Sequence, residues 1–247
     1  MNYASSVSQL SIQDVKELEE NIKEGYSLVR FVRHGESILN IPDPDTGDLL
    51  VSGKSLLVAL SEEGERQATD FAKKIVTHIP SDREIVVCSS TAVRAQKTAQ
   101  LIVEELQKKF TCQLGDSYEG LCELSQGSWD GESRSEEYQS QIKKWKALSD
   151  VDKFNISKVK EGESLKEVAK RAILTMQTIV EMYPGKMIFI VSHGNTVHSV
   201  AVRLNSNPKT HEKTTSLYLK NCEMALVKIP EGKRVKEGSV VGRFLVA

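Results

Sequence analysis

The side chains best suited to chemistry stand at the ends of short apolar runs. The run from Leu28 to Val32 passes directly into Arg33 and His34 without a turn residue. Such a run is typical of a strand buried on both faces by helices, and open α/β sheets bind ligands at the carboxyl ends of these strands. Arginine there can bind an anion, and a neutral imidazole can act as a nucleophile. One Arg-His pair at a strand end is most often part of a solvated loop, so further motifs are needed to identify a functional site.

The same arrangement occurs at two later strands. The apolar run Ile85–Cys88 leads into serines, and Arg94 follows in the first turn of a predicted helix. The run Lys186–Ser192 ends at His193 and Gly194, where the N–H groups and dipole of a helix N-terminus favour an anion. Because the carboxyl ends of parallel strands meet at one edge of a sheet, we expect the arginines and histidines of all three strands to share one pocket.

These residues stand in motifs that resemble those of the histidine phosphatase superfamily, also called the phosphoglycerate mutase-like fold. Arg33-His34-Gly35-Glu36 resembles its first signature, and Ser192-His193-Gly194-Asn195 resembles its second histidine motif. Residues 89–99 (SSTAVRAQKTA) resemble its serine, arginine-alanine and threonine-alanine motif. The resemblance covers residues 27 to about 200, and it implies that Arg94 binds the transferring phosphate. Gly35 is expected to let backbone and ligand approach closely.

A fourth motif lies in a loop that has neither helical nor alternating periodicity. Residues 119–131 (EGLCELSQGSWDG) resemble the motif of the phosphatase branch, in which a glutamate, here Glu123, donates a proton and a Gly-x-Trp-acid-Gly turn follows. Mutase relatives carry a His-Tyr-Gly stretch after that glutamate, and this chain has none. They also have a longer insertion before the second histidine motif than the segment from Trp129 to Ser164. The resemblance therefore favours the phosphatase branch.

The resemblance implies a metal-independent phosphomonoesterase that acts on a small metabolite through a phosphohistidine on His34. The two arginines are expected to keep His34 neutral, and they supply the charge that a metal would otherwise provide, so no metal or cofactor is expected. His193, protonated against the phosphate dianion, is expected to donate to a phosphoryl oxygen, and Asn40 to orient the group. Catalytic roles thus fall to His34, Glu123 and His193, and phosphate binding to Arg33, Asn40, Arg94 and Gly194.

Three alternatives are open to the same residues. A phosphoglycerate mutase would share every catalytic residue. A non-catalytic module that binds a phosphorylated ligand would have no reason to keep a nucleophile and an acid together. Gly53-Lys54-Ser55 resembles the end of a nucleotide-binding P-loop, but five residues separate Gly47 from Gly53 where that motif has four, and no strand precedes it. We expect the loop from Ile41 to Leu60 to lie beside the first strand's end instead.

Length and composition limit the class of protein in which these motifs occur. The 247 residues suffice for one core, and the net charge of −1 leaves no basic field for nucleic acid or an anionic membrane. The four cysteines show no CxxC pairing, and no apolar run reaches the roughly 20 residues of a spanning helix. The polar N-terminus lacks the apolar core of a signal peptide, so a cytoplasmic location is expected. A homodimer is left open.

The predicted fold is a single α/β domain over residues 1–247, a three-layer sandwich with a mostly parallel central sheet flanked by helices. Residues 1–26 form an N-terminal extension with a short amphipathic helix over 12–24, packed on the outside of the domain. Capped helices follow Ser61 and Ser164, and a helix within 132–152 lies over the site. Thr215–Lys220 and Met224–Ile229 are predicted to form an edge hairpin, and His198 is interpreted as structural.

Overall fold

The computed structural model describes residues 9–20, 26–80, 82–205, 217–230 and 232–244, and within them seven strands form one sheet with seven α-helices around it. The strands are β1 (Gln9–Leu10), β2 (Tyr26–Arg33), β3 (Ile85–Ser90), β4 (Cys112–Tyr118), β5 (Met187–Ser192), β6 (Met224–Pro230) and β7 (Ser239–Phe244). The helices are α1 (Ile12–Glu20), α2 (Glu62–Ile75), α3 (Val93–Leu106), α4 (Glu136–Lys146), α5 (Asp150–Asn155), α6 (Leu165–Met182) and α7 (Gly194–Asn205).

The sheet is mixed, with the strand order β1-β7-β6-β2-β5-β3-β4. The four strands from β2 to β4 in this order run parallel, whereas β6 is antiparallel to both of its neighbours. This arrangement confirms a mostly parallel sheet. The register pairs Arg33 with Ser192 and Ser89 with Val191, so β2, β5 and β3 end nearly level with one another. The residues that follow these three strands therefore lie together at one edge.

Both faces of the sheet are covered, as the apolar runs predict. On one face, Val29 and Phe31 of β2 belong to a buried cluster with Met176 of α6 and Val197 of α7. On the other face, alternate residues of the same strand pack against α2 and α3, in a second cluster that includes Val32. Strand residues alternate between faces, so one continuous apolar strand serves both layers of helices. The molecule is therefore a three-layer sandwich.

Polar residues at the helix ends set where the predicted helices begin. The Ser61 hydroxyl accepts the Gly64 N–H at 3.0 Å and caps α2, and Ser164 forms the expected capping box at the start of α6. The predicted helix over the site is two helices, α4 and α5. The second begins because Ser149 Oγ accepts the Asp152 N–H at 3.1 Å, which makes Ser149 an N-cap inside the predicted span.

The predicted edge hairpin is wrong. Thr215 and Ser216 lie outside the described residues, and 217–220 form no strand. Leu219 O instead accepts a hydrogen bond from Arg33 Nη1 at 2.7 Å, so this segment is bonded to the candidate site rather than to a neighbouring strand. β6 lies inside the sheet and makes its hairpin with β7, which the sequence prediction did not include. The edge strand β4 was likewise not predicted.

The N-terminal helix packs against the core. α1 ends at Glu20, and residues 21–25, where the prediction placed the rest of this helix, lie outside the described residues. Val15 is buried in the same cluster as Leu28 and Phe71. β1 pairs with β7 just before it. Among the described helices, none has the length and apolar character needed to cross a membrane. The four cysteines are all buried and unpaired.

Candidate active site

The candidate site lies at the sheet edge where β2, β5 and β3 end. Arg33 is the last residue of β2 and His34 follows it, while His193 follows β5 and Gly194 opens α7. Arg94 projects from the first turn of α3, after β3. The predicted convergence is therefore observed. His34 is 4% exposed, Arg94 1%, His193 0% and Glu123 9%, so these groups lie in a closed, poorly hydrated environment.

The imidazole of His34 is held in one tautomer. Its Nδ1 lies 2.5 Å from the Gly35 carbonyl oxygen, which can only accept, so Nδ1 carries the proton. Its Nε2 is then unprotonated, and the lone pair of Nε2 accepts the Arg94 Nε–H at 3.3 Å. Burial, reinforced by the charges of Arg94 and Arg33, holds the pKa of His34 well below its usual value. The ring is thus neutral and presents a nucleophilic nitrogen.

Gly35 has a different reason to be glycine from the one expected. It is buried, and an added Cβ would overlap the carbonyl of Gly64 in the first turn of α2. Its own N–H donates to Thr98 Oγ1 at 3.1 Å. The missing side chain therefore lets the loop after β2 pack against the start of α2, rather than letting a ligand approach the backbone.

Arg94 is bonded to the loop that resembled a P-loop. Its Nη1 donates to Ser55 O at 2.5 Å, and its Nη2 to Gly53 O at 3.3 Å. We call residues 50–57 the strap. Hydrogen bonds from the backbone of Gly131 to Val51 O and from Val93 to Leu56 O fix it over the site. The strap points carbonyl oxygens at Arg94, whereas a P-loop presents N–H groups to phosphate, so the P-loop interpretation is not supported.

Two buried polar atoms at the centre of the site have no hydrogen-bond partner among the described residues, Arg33 Nε and His193 Nδ1. Buried polar groups are nearly always bonded, so these two atoms are available to a ligand of complementary chemistry. Arg33 Nη1 is used by Leu219 O, and the Cα of Gly194 lies beside the guanidinium. Burial lowers the pKa of Arg33, but the carboxylates of Glu123 and Glu223 oppose this shift, and arginine stays charged.

His193 lies next to His34. Their ring centroids are 5.0 Å apart, with 65° between the planes, and His193 Nε2 is 2.7 Å from Ser90 Oγ. Burial, followed by the charge of Arg94, holds the pKa of His193 well below its usual value. In the protein alone the ring is therefore neutral. The protonated form expected from the sequence requires the negative charge of a phosphate beside it.

Glu123 is held by the start of α7. Its Oε2 accepts the Asn195 N–H at 3.2 Å, and its Oε1 accepts the Leu124 N–H at 2.8 Å. The loop that carries it is tied down by a residue the sequence did not reveal, Arg171 of α6. Arg171 donates to the carbonyl oxygens of Gly120, Cys122 and Glu123 at 2.9, 2.7 and 3.0 Å. It therefore fixes the backbone on which Glu123 stands.

The structure does not bring Asn40 into this network. Its Oδ1 accepts from Ser37 N at 3.0 Å and Ser37 Oγ at 3.1 Å, and so it closes the short turn after His34. No hydrogen bond among the described residues joins Asn40 to His34, Arg94 or His193. Its role toward phosphate stays a prediction.

The arrangement suits a compact dianion that is attacked at its centre. A guanidinium about 4 Å from such a charge contributes about 4 kcal/mol of attraction at an effective dielectric constant of about 20. Arg33 directly precedes His34 and Arg94 donates to it, so both guanidinium groups lie beside the imidazole. Among the described residues, no group of three or more His, Cys, Asp or Glu side chains is placed to hold a metal ion.

Comparison with known proteins agrees with the motifs. The model of the histidine phosphatase superfamily (branch 1) matches residues 29–239. A 2,3-bisphosphoglycerate-dependent phosphoglycerate mutase of Arabidopsis thaliana is 28% identical over 89% of this chain and 70% of its own. A metal-independent phosphoserine phosphatase of the same plant is 23% identical over 78% of this chain and 72% of its own.

Two solved structures share the fold. The alpha-ribazole phosphatase of Shigella flexneri has a TM-score of 0.62 at 21% identity and covers 87% of this chain and 94% of its own. A mycobacterial glucosyl-3-phosphoglycerate phosphatase has a TM-score of 0.61 at 19% identity, with 82% and 90% covered.

Proposed function

Since the chain belongs to the histidine phosphatase superfamily, we propose that it hydrolyses phosphate monoesters of small metabolites through a phosphohistidine on His34. The observation that carries the proposal is the fixed tautomer of His34. Gly35 O holds the proton on Nδ1, and the Nε2 lone pair faces Arg94. The ring centroid of His34 lies 5.0 Å from that of His193, a second buried histidine. A neutral, oriented nucleophile between two guanidinium groups is what transfer of a charged phosphoryl group requires.

The reaction proceeds in two steps. In the first, His34 Nε2 attacks phosphorus, the bond to the alcohol oxygen breaks, and Glu123 gives that oxygen a proton. In the second, Glu123 takes a proton from water, the resulting hydroxide attacks phosphorus, and the bond to Nε2 breaks, which returns neutral His34 and inorganic phosphate. Arg33, Arg94, His193 and the N–H groups at Gly194 stabilise the phosphoryl oxygens.

Arg94 must change partners for this to happen. Its Nε now donates to His34 Nε2 and its two Nη groups to carbonyl oxygens of the strap, and phosphoryl oxygens take the place of these acceptors when substrate binds. A bidentate bond from guanidinium to phosphate is stronger than a bond to a neutral carbonyl. The two arginines supply the positive charge of the site, which supports a mechanism without a metal.

A mutase is the second candidate, because the sequence relatives include phosphoglycerate mutases. Two features support hydrolysis instead. Glu123 is followed by a Gly-Ser-Trp-Asp-Gly turn rather than a His-Tyr-Gly stretch. The cover between that turn and α6 consists of the short helices α4 and α5. A non-catalytic binding module would need only the arginines, not a nucleophile with a fixed tautomer.

The decisive experiment for the proposed function is His34→Ala. The variant should be folded and inactive toward p-nitrophenyl phosphate, and wild-type protein quenched without acid should carry label from ³²P-substrate on His34. His78→Ala, a change three residues beyond the end of α2, is the matched control and should keep both activity and label. Wild-type activity should also survive EDTA. Label on serine or aspartate, or turnover by His34→Ala, would discard the mechanism.

The choice between phosphatase and mutase rests on the product. With a phosphatase, inorganic phosphate appears at the rate at which substrate disappears, and 2,3-bisphosphoglycerate is not needed. Conversion of 3-phosphoglycerate to 2-phosphoglycerate with little free phosphate would instead identify a mutase. We further propose that the chain is a single domain in the cytoplasm and that it acts without nucleic acid or membrane. Sedimentation velocity would measure whether it forms the homodimer left open above.

A further inference from the structure

A lysine outside every sequence motif lies beside the proposed proton donor. Lys158 stands between α5 and α6, and its Nζ donates to Asn195 Oδ1 at 2.8 Å. The same ammonium lies 5.2 Å from the ring centroid of Trp145 in α4. Asn195 donates its backbone N–H to Glu123 Oε2 at 3.2 Å. A single residue therefore links the ammonium of Lys158 to the carboxylate of Glu123.

The backbone that carries Lys158 is fixed. Ser157 Oγ donates to Val159 O at 2.7 Å, and the Val159 side chain is buried with Val51 of the strap and Tyr138 of α4. Lys158 is thus anchored between the strap and the helical cover, both of which lie over the site. Its side chain enters the space between them and the start of α7.

The charge of Lys158 is not neutralised by these contacts. None of the ion pairs among the described residues includes Lys158. Burial lowers its pKa, and the charge of Glu123 opposes that shift. An ammonium has three N–H donors, and the amide oxygen of Asn195 takes one. Burying a cation against a neutral amide and an aromatic ring is costly unless an anion completes the set.

We propose that Lys158 binds a carboxylate on the alcohol part of the substrate, so that the chain acts on phosphate monoesters of small hydroxy acids. This inference rests on the function proposed above. Glu123 protonates the alcohol oxygen, so the alcohol must lie on the Glu123 side of phosphorus, and Lys158 is a partly buried cation on that side. The single ammonium of Lys158 can pair with the single negative charge of a carboxylate, whereas the guanidinium groups of Arg33 and Arg94 bind the phosphoryl group.

Arg171 also lies near this place, but its guanidinium is already held by Glu163 and by the carbonyl oxygens of Gly120, Cys122 and Glu123. Two lysines among the described residues are nearby as well. Lys54 of the strap is already paired with Glu119, at 2.8 Å. Lys146, at the end of α4, is exposed, and its positive charge lowers the pKa of Lys158. Neither sits against Asn195 as Lys158 does. A second phosphate on the substrate would need Lys146 as well, and the probes below separate that case from a carboxylate.

The test compares three alkyl phosphates of one length: 3-(phosphonooxy)propanoate, its neutral amide, and propane-1,3-diol bisphosphate. Wild type should favour the carboxylate over the amide by about tenfold or more in kcat/KM, as expected for a hydrogen-bonded charge pair. Lys158→Gln keeps a donor for Asn195 Oδ1 but loses the charge, and its carboxylate-to-amide ratio should fall to about one through a higher KM for the carboxylate. Lys160→Gln, an exposed lysine two residues away, is the control and should keep the wild-type ratio.

The outcomes separate this inference from the proposed function. An unchanged ratio in Lys158→Gln, or equal turnover of carboxylate and amide by wild type, would overturn the assignment, and a preference for the bisphosphate would replace the carboxylate with a second phosphate. If wild type hydrolyses none of the probes and no p-nitrophenyl phosphate, the proposed function fails. Calorimetric binding of the same probes to His34→Ala, with and without Lys158→Gln, then tests Lys158 independently of turnover.

Discussion

At His34, one carbonyl oxygen decides which ring nitrogen can react. Gly35 O holds the proton on Nδ1, so Nε2 faces the site, and burial with two arginines keeps the ring neutral. Gly35 can provide that carbonyl because its missing side chain lets the loop pack against Gly64 of α2. The reactivity of a histidine in the site therefore depends on the contact of a glycine with a helix outside it.

Glu123 is tested by replacing its acid with an amide. In Glu123→Gln, cleavage of alkyl phosphates should fall by roughly 10²- to 10⁴-fold, because their alkoxide leaving groups need a proton. p-Nitrophenyl phosphate expels a stable anion, so its first step should be nearly normal while hydrolysis of the phosphohistidine slows. Stopped-flow absorbance should then show a burst of one nitrophenol per site.

The control for this change is Glu137→Gln, an exposed carboxylate at the start of α4 that should leave both substrates unaffected. Equal losses on alkyl and aryl phosphates without a burst would mean that Glu123 only shapes the pocket. The proton donor would then have to be sought at Glu36 or Asp130.

The sequence predicts the residues of the site better than their supports. His34, Arg94 and His193 follow buried strands, and that context can be read from apolar runs. Arg171 sits at a polar position of an amphipathic helix, where solvent contact is the ordinary expectation. Only the path of the chain brings the carbonyl groups of residues 120–123 to its guanidinium, and no local pattern records that path.

At the scale of elements, α6 positions the loop that carries Glu123. Arg171→Lys keeps the charge but loses the planar fork that reaches three carbonyl groups. We expect the loop to loosen, and kcat for an alkyl phosphate to fall about tenfold, with a smaller loss for p-nitrophenyl phosphate, because only the alkyl substrate needs an aligned acid. Steady-state kinetics on both substrates measures this difference.

Lys170→Ala is the matched control for Arg171→Lys, since its side chain is exposed on the same helix. It should leave the ratio of alkyl to aryl turnover unchanged. A parallel loss on both substrates in Arg171→Lys would show that the arginine supports the fold as a whole rather than the position of Glu123.

There are physical reasons why the strand predictions from the sequence failed at β4 and at residues 217–220. β4 reads CQLGDSY, and most of its side chains are partly or fully exposed, so it has no apolar run. Its Gly115 packs against Cys88 and Val86 of β3, a contact visible only in three dimensions. Leu217 and Leu219 alternate like strand residues and are buried. Their segment, however, accepts a hydrogen bond from the Arg33 side chain instead of pairing through its backbone with a neighbouring strand. Burial pattern alone cannot distinguish these cases.

At the scale of the whole molecule, three buried neutral histidines make the fold sensitive to acid. Burial is the main cause that lowers the pKa of His34, His193 and His198, and for His198 the pKa is about 4 instead of 6.5. As pH falls below about 6.5, the unfolded chain takes up protons that the folded chain does not, so stability is full above that value and declines below it.

His198 allows this effect to be measured outside the proposed chemistry. Its Nδ1 accepts the Leu217 N–H at 3.3 Å, and its ring stacks on Tyr218 at 4.5 Å. Its shift implies a loss of roughly 2 to 3 kcal/mol of unfolding free energy between about pH 7.5 and about pH 4.5. In His198→Gln the decline over that range, measured by urea unfolding, should be smaller by this amount.

His78→Gln removes a histidine outside the core and should keep the wild-type decline. The result that would contradict the account is an equal decline in wild type and His198→Gln, because acid sensitivity would then come from other groups. Both variants should be compared by the change between the two pH values, so that any loss at neutral pH cancels.

The strap also has a thermodynamic meaning. Because Gly53 O and Ser55 O occupy the Arg94 guanidinium, a phosphoryl ligand that binds there as proposed competes with a ligand that belongs to the chain and cannot be diluted away. Such an internal competitor raises the apparent dissociation constants of substrate, product phosphate and vanadate by one common factor. Under the proposed function it therefore leaves the relative affinities of substrates, product phosphate and vanadate unchanged.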